Sequence, residues 1–185
     1  MSAVRDIAVL VGSLRKESFN RKMAHALSEL APSELKLEIA EIGQLPLYNP
    51  DLEASPPPPW VGFRDQIRPV NGVLFVTPEY NRSVPGVLKN AIDVGSRPYG
   101  QSVWDKKPAG IVSVSPGAIG GFGANQHLRQ SLVFLNMPPL QMPEAYIGGA
   151  DKLFDESGRL TNSSTREFLG KYLQAFAAWV EKIAG

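Results

Sequence analysis

A loop rich in hydroxyl, amide and guanidinium groups lies between an apolar run, Ile7–Val11, and a helical pattern, Arg21–Leu30. Its polar side chains follow one another closely: Ser13, Arg15, Ser18 and Asn20. A strand, a polar loop and a helix N-terminus in that order bring hydroxyls, backbone N–H groups and the positive end of a helix dipole together. The Arg15 guanidinium is able to bind two phosphate oxygens at once. The pattern therefore predicts a phosphate-binding loop, with an ordinary βα turn and a Ser or Asn helix cap as the alternative.

The glycine content of this loop excludes two kinds of nucleotide site. The loop lacks the second Gly and the Lys of the nucleotide-hydrolysing motif G-x-x-x-x-G-K-[ST]. Gly12 stands alone, so the dinucleotide fingerprint G-x-G-x-x-G is missing as well. What remains suits a terminal monophosphate held by side-chain hydroxyls. A mononucleotide is the expected ligand, with flavin mononucleotide (FMN) as the leading candidate.

The composition is that of an ordinary globular protein. A chain of 185 residues fits one domain, predicted to span residues 1–185, and its net charge of +1 does not suit nucleic acid or an anionic membrane. The chain has no cysteine, which excludes disulfides, thiolate metal sites and a Cys nucleophile. His25 and His127 lie in separate helical segments and indicate no metal site. With neither a signal peptide nor a membrane-spanning run in view, a cytoplasmic location is expected.

Strand and helix patterns alternate along the chain. The predicted strands are Ile7–Val11, Leu35–Ile42, Gly72–Val76, Ala109–Val114 and Met142–Ile147, and the predicted helices are Arg21–Leu30, Trp60–Ile67, Gly86–Val94, Ala124–Leu135 and Thr165–Ile183. Ser164 and Glu167 predict a capping box for the last helix. Successive βα units indicate an α/β fold, a three-layer sandwich around a five-stranded parallel sheet of flavodoxin-like order 2-1-3-4-5. In that order the ligand lies at the carboxyl ends of the strands.

Two further loops follow predicted strands at this edge. Thr77–Gly86 is rich in polar and aromatic residues, and its two prolines stiffen it to hold the edge of a planar ring. Gly86 is expected to permit a sharp turn or a close backbone approach there. Ser113–Gly123 contains four glycines, so it carries little side-chain bulk and can pass beside a flat ring.

Two motifs of this chain are similar to those of a known family. The first is the Gly12–Asn20 loop, Gly-Ser-Leu-Arg-x-x-Ser-x-Asn. The second runs over Pro78–Asp93 as Pro-Glu-Tyr-Asn-x-x-x-Pro-Gly-x-Leu-Lys-Asn-Ala-Ile-Asp and is followed by Ser96–Pro98. Together they resemble the NADPH-dependent FMN reductase family, and within it the bacterial quinone and chromate reductases. The resemblance continues through Gly117–Arg129 to the last helix and covers nearly the whole chain.

The resemblance implies a flavodoxin-like fold with non-covalently bound FMN. By motif match, the residues that would hold the phosphate are Ser13, Arg15, Ser18, Phe19 and Asn20. Those that would border the isoalloxazine or contact the cofactor from the glycine-rich loop are Pro78, Glu79, Tyr80, Asn81, Ser115 and Gly117. The resemblance also implies a homodimer or homotetramer. Gln126 departs from chromate-reductase relatives, which often have Tyr there, so their tetramer contacts are not carried over.

The implied chemistry needs no catalytic side chain. NADPH or NADH would reduce the flavin, which would pass two electrons to a small acceptor such as a quinone, an azo dye, chromate or a free flavin. Glu79 is expected to be structural or to face solvent, and His127 to lie on a helix surface or an interface. Two alternatives remain: a flavodoxin-type electron carrier, disfavoured because such carriers are usually strongly acidic, and a nucleotide-binding module without turnover.

Overall fold

Strands and helices alternate in the computed structural model as the sequence predicts. The structure describes residues 3–184; Met1, Ser2 and Gly185, which the predicted domain includes, lie outside the described residues. The strands are β1 (Arg5–Val11), β2 (Leu35–Ala40), β3 (Gly72–Thr77), β4 (Ala109–Val114) and β5 (Ala145–Ile147). The helices are α1 (Phe19–Leu30), α2 (Pro58–Ile67), α3 (Gly86–Gly95), α4 (Phe122–Phe134) and α5 (Ser163–Ala184).

The strands form one parallel sheet in the order β2-β1-β3-β4-β5, which confirms the predicted order. The chain leaves β1 toward one edge of the sheet and returns through β2 to β3 on the other side of β1. The carboxyl ends of β1 and β3 therefore flank the point where the strand order reverses. A crevice at such a point is where sheets of this kind bind ligands.

Alternate side chains of each central strand are buried on opposite faces of the sheet. In β1, Ile7, Val9 and Val11 belong to one hydrophobic core, whereas Ala8 and Leu10 belong to the other. The first core contains residues of α1 and α5, and the second contains residues of α2, α3 and α4. Because helices cover both faces, the strands read as nearly continuous apolar runs and the sandwich has three layers.

The fifth strand is shorter than predicted. Pairing with β4 begins at Ala145, so the predicted strand Met142–Ile147 is reduced to Ala145–Ile147. Pro143 has no N–H to donate to a ladder, and the chain crosses from Leu140 to Ala145 outside the sheet.

Asn162 caps α5, and the predicted capping box of Ser164 and Glu167 is wrong. Asn162 Oδ1 accepts the backbone N–H of Thr165 at 2.9 Å, while Glu167 accepts a hydrogen bond from Lys171 at 2.6 Å. An Asn one residue before the helix outcompetes the serine because it reaches the free N–H groups of the first turn.

No helix within residues 3–184 has both the length and the apolar composition that spanning a membrane needs.

Candidate cofactor site

One cavity of about 650 Å³ opens where the loops after β1, β3 and β4 meet. This volume is within the range of small-molecule and cofactor sites. Nine of the predicted site residues line it: Ser13, Arg15, Ser18, Phe19, Asn20, Pro78, Glu79, Tyr80 and Ser115. Asn81 and Gly117 are not among its lining residues.

Gly12 lets the loop after β1 pass close to the end of β3. Its N–H donates to Val76 O at 2.9 Å, and a Cβ at position 12 would lie 2.9 Å from Thr77 Oγ1. Since Thr77 Oγ1 is itself held by a hydrogen bond to Pro78 O, any larger residue would push the two loops apart. Gly12 therefore sets the separation of the loops after β1 and β3 at the cavity.

Ser18 caps α1 at the cavity wall. Its Oγ accepts the N–H of Arg21 at 3.2 Å, and its carbonyl accepts the N–H of Lys22 at 3.0 Å. The first two N–H groups of the helix, on Phe19 and Asn20, have no protein acceptor among residues 3–184. Two free donors, the Ser18 hydroxyl proton and the positive end of the helix dipole favour an anion at this end of the cavity.

Arg15 is the cation of the loop that faces the cavity. Both nitrogens of the Arg21 fork bind Glu41, at 2.7 and 2.8 Å, and this pairing lowers the pKa of the Glu41 carboxyl. Lys22 pairs with Glu17 at 3.1 Å. Within residues 3–184, no carboxylate forms an ion pair with Arg15, which lines the cavity and is exposed. Its guanidinium is therefore available to an anionic ligand.

Asn20 contains the one buried side-chain polar atom without a hydrogen-bond partner in residues 3–184. The residue is only 4% exposed; Nδ2 donates to Val114 O at 3.4 Å, and Oδ1 accepts from nothing. Exchanging the two amide atoms would set Oδ1 against the Val114 carbonyl, so the assignment stands. Asn20 Oδ1 thus needs a donor from outside the chain, such as a ligand hydroxyl, which differs from the predicted contact of the Asn20 amide with a phosphate.

The loop after β3 turns sharply at residues other than the predicted glycine. Tyr80 and Ser83 exchange backbone hydrogen bonds of 3.0 and 2.9 Å. Between them, Asn81 and Arg82 have φ values of 49° and 61°, which makes a type I′ turn. The expectation that Gly86 provides the turn is wrong, because Gly86 begins α3 and a Cβ there would meet nothing within 4 Å.

Glu79 joins this loop to the start of α4. Its Oε2 accepts the N–H of Ala124 at 3.2 Å, and its Oε1 accepts from Arg82 at 3.2 Å. A Cβ at Gly123 would lie 2.8 Å from Glu79 Oε2, so the carboxylate packs directly on the first turn of α4. A carboxylate at a helix N-terminus stabilises the helix through its free N–H groups and dipole. Glu79 is therefore structural in this arrangement.

The glycine-rich loop is held against the end of β5. Ser115 N–H donates to Ile147 O at 2.9 Å, and Gly117 N–H donates to Ser115 Oγ at 3.1 Å. Gly120 has φ +59°, and a Cβ there would lie 2.5 Å from the Tyr146 carbonyl carbon. Ser115 faces the cavity, whereas Gly120 serves the packing of the loop on β5.

His127 is on the exposed surface of α4, where its Nδ1 and the Ser83 hydroxyl are hydrogen-bonded at 2.7 Å. Next to it, Gln126 Nε2 donates to Glu144 Oε1 at 3.1 Å and to the Tyr146 hydroxyl at 2.6 Å. Burial, followed by the Glu144 hydrogen bond, raises the pKa of Tyr146 to about 12. The turn after β3, α4 and β5 are thus tied together beside the cavity.

Five apolar lining residues are absent from the predicted site: Leu14, Pro85, Val87, Val114 and Pro116. Leu14, Pro85 and Pro116 lie in the loops after β1, β3 and β4, and Val114 ends β4. Their position beside predicted polar site residues is the feature of the sequence that could have identified them. Val87 is inside α3 and nothing local distinguishes it.

Comparisons with known proteins agree with this geometry. Residues 5–152 match the model of a family described as NADPH-dependent FMN reductase. A quinone reductase from Pseudomonas putida is 69% identical over 182 residues, which cover 98% of this chain and 97% of that protein. A 2-hydroxy-1,4-benzoquinone reductase from a Burkholderia species is 47% identical over 174 residues, covering 94% and 95%. The solved structure of FerB, a flavoenzyme NAD(P)H:(acceptor) oxidoreductase from Paracoccus denitrificans, superposes with a TM-score of 0.92 at 42% identity, covering 98% of this chain and 100% of that one.

Proposed function

This chain belongs to the NADPH-dependent FMN reductase family, and on that premise we propose that it reduces quinones with electrons from NADH or NADPH. FMN is the cofactor and NAD(P)H the electron donor. The observation that carries the proposal is a single cavity that runs from Arg15 and the start of α1 to Tyr80 in the loop after β3. The Arg15 end of this cavity suits an anionic group and the Tyr80 end suits a flat ring, so the cavity matches a molecule that has both.

The residues present fit FMN. The Arg15 guanidinium, the Ser13 and Ser18 hydroxyls and the N–H groups of Phe19 and Asn20 would hold the phosphate. Asn20 Oδ1, buried and without a partner in residues 3–184, suits a hydroxyl of the ribityl chain. When bound, FMN supplies hydride transfer from nicotinamide and electron transfer to the acceptor.

The loops after β3 and β4 would hold the isoalloxazine. Pro78, Glu79 and Tyr80 line the cavity and would border the ring on one side, and Ser115 would border it from the glycine-rich loop. Asn81 and Gly117, which follow in these two loops outside the lining, would lie at the rim of the ring. No side chain is assigned a proton transfer. Both Glu79 oxygens accept hydrogen bonds, from Ala124 and Arg82, which supports a role in holding the loop after β3.

Absorbance spectra and stopped-flow mixing test the redox role. We expect the purified protein to carry about one FMN per chain and its flavin absorbance to bleach on anaerobic mixing with NADPH or NADH. The absorbance is then expected to return on mixing with 1,4-benzoquinone. Protein that binds FMN but is not bleached by either nicotinamide would overturn the proposed reductase and leave a binding module.

The same experiment separates a reductase from an electron carrier. A carrier of flavodoxin type would exchange electrons with protein partners and turn over slowly with a free quinone. The net charge of +1 supports the reductase, because docking carriers rely on a strongly charged, complementary surface.

The preferred acceptor is proposed to be a quinone, with azo dyes, chromate and free flavins as secondary acceptors. Ratios of kcat/KM across these compounds, measured with each nicotinamide, determine the class. A higher kcat/KM for chromate than for any quinone would reverse the proposed order.

We also propose a homodimer or homotetramer. Two aromatic side chains that line one surface groove, Tyr99 and Phe134, are each 89% exposed, and Val133 beside Phe134 is 73% exposed. Exposed apolar groups gathered in one place favour a contact with another chain. Sedimentation velocity tests this, and a monomer at micromolar concentration would contradict it.

A cytoplasmic location stays a prediction.

A further inference from the structure

A small hairpin, residues 153–161, lies just beyond the stretch that the family model matches, residues 5–152. Phe154 and Leu160 form an antiparallel bridge, and the N–H of Thr161 donates to Leu153 O at 2.9 Å. Leu153 and Leu160 are buried in the core that also contains α1. The hairpin is therefore anchored to the same layer of the molecule as the helix that begins the candidate phosphate site.

The tip of the hairpin is stabilised by its own polar groups. Asp155 Oδ1 accepts from Ser157 Oγ at 2.6 Å and from the backbone N–H of Arg159 at 2.9 Å. Asp155 O accepts the N–H of Gly158 at 2.9 Å, and Gly158 has φ +83°. These local bonds define the shape of the turn, so the hairpin packs on α1 with a conformation that its own residues stabilise.

The hairpin packs on the first turn of α1. The rings of Phe154 and Phe19 are stacked, with centroids 6.4 Å apart and planes inclined by 14°. Gly158 lies against the alkyl chain of Lys22, because a Cβ at position 158 would be 3.5 Å from Lys22 Cγ. Lys22 Nζ is in turn 6.0 Å from the Phe19 ring centroid. Both contacts fall on residues of the first helical turn.

Phe19 connects this packing to the cavity. It is the first residue of α1, it lines the cavity, and its N–H has no protein acceptor in residues 3–184. The Ser18 cap and the helix backbone set the direction of this N–H, and the ring stack anchors the first turn of α1 from outside, so loss of the stack would let the free N–H groups shift.

We propose that Phe154 is a positioning residue for the cofactor phosphate: through its stack on Phe19 it holds the free N–H groups at the start of α1 in place. The inference rests on the proposed binding of the FMN phosphate at this helix end. By this inference the hairpin, which lies outside the family match, contributes to the preference for FMN over riboflavin, a flavin that lacks the phosphate.

Titration of the apoprotein with FMN and with riboflavin, followed by flavin fluorescence, tests the inference. Phe154→Ala is expected to raise the Kd for FMN roughly 3- to 10-fold, the range that one aromatic pair supports, and to leave the Kd for riboflavin unchanged. Phe154→Tyr, which keeps the ring, is expected to restore the wild-type ratio of the two constants. If Phe154→Ala does not fold, Phe154→Leu replaces it, with a smaller change in the same direction.

Phe168→Ala is the matched control. Phe168 is also a partly buried aromatic residue packed on the α1–α5 core, but it lines a groove with Glu144 and Tyr146 near β5. Its loss is expected to lower stability without changing the FMN-to-riboflavin ratio. Three outcomes would overturn the inference. In Phe154→Ala they are an equal rise of the Kd for both flavins or an unchanged Kd for FMN. In Phe168→Ala it is the same change in the ratio of the two constants. Equal binding of both flavins by the wild type would instead refute the proposed phosphate site and the inference with it.

Discussion

Arg15 faces the cavity, whereas the nearby cations of α1, Arg21 and Lys22, form ion pairs with carboxylates. Arg15→Ala removes a charge-assisted contact worth about 1.5–3 kcal/mol. We expect the affinity for FMN to fall roughly 10- to 100-fold and the melting temperature of the apoprotein to stay unchanged. Lys16→Ala is the control, because Lys16 is an exposed cation next in the chain that does not line the cavity. Equal affinities of Arg15→Ala and wild type would place the phosphate elsewhere.

We expect two roles for Ser18, and two measurements on one variant separate them. Its hydroxyl caps α1, and the residue, which is buried, is also part of the cavity lining. Ser18→Ala is expected to weaken FMN binding less than Arg15→Ala, since no charged group is lost. It is also expected to lower the free energy of unfolding of the apoprotein by about 0.5–2 kcal/mol, the cost of a lost N-cap. Urea denaturation of the apoprotein measures this; Ser18→Thr, which retains a capping hydroxyl, should recover most of the loss.

At the scale of elements, the glycine-rich loop contains glycines of unequal importance. Gly120 has φ +59° and a Cβ there would strike the Tyr146 backbone, whereas a Cβ at Gly117 would meet only Ser115 Oγ at 3.4 Å. Gly120→Ala is expected to cost at least about 2 kcal/mol of unfolding free energy, because a left-handed residue is strained and backbone cannot give way. Gly117→Ala, in the same loop, is expected to change stability little. Similar denaturation midpoints for the two variants would contradict this account.

Long-range hydrogen bonds unite the elements around the cavity. Glu79 holds the start of α4, Ser83 contacts His127, and Gln126 binds Glu144 beside β5. One helix thereby positions the loop after β3 and the start of β5, and the glycine-rich loop is in turn bonded to the end of β5, which is the kind of rigid support that a planar cofactor needs.

At the scale of the whole molecule, stability at alkaline pH depends on Tyr146, whose pKa is raised to about 12 from 10.0. Between these values the folded protein keeps a proton that the unfolded chain loses, so the unfolded state binds fewer protons and the free energy of unfolding falls as pH rises. The stabilisation is fully present below about pH 10. We expect Tyr146→Phe to flatten this decline in urea denaturation series from about pH 9 to 11.5. An equally steep decline in the variant would show that other groups cause it; buried Tyr172, whose pKa is also raised, contributes in the same direction in both proteins.

The sequence by itself determined the sheet order, the three special loops and most of the cavity wall. These follow from local patterns: apolar runs too short for helices, helical periods between them, and polar or glycine-rich residues directly after a strand. Because carboxyl ends of parallel strands meet at one edge, the order of motifs along the chain already places Ser13, Tyr80 and Ser115 at one site.

Only the tertiary structure decided how individual side chains are used. Asn20 binds the carbonyl of Val114, 94 positions away, Glu79 binds Ala124, 45 positions away, and Phe19 stacks on Phe154. No glycine marks the sharp turn at Asn81 and Arg82: Asn81 tolerates the left-handed conformation but Arg82 does not favour it, and the turn is held by the Tyr80–Ser83 backbone bonds and the hydrogen bond between Ser83 and His127. Hydrogen bonds and ring contacts act over a few ångströms, so which distant groups they join is known only once the chain is folded.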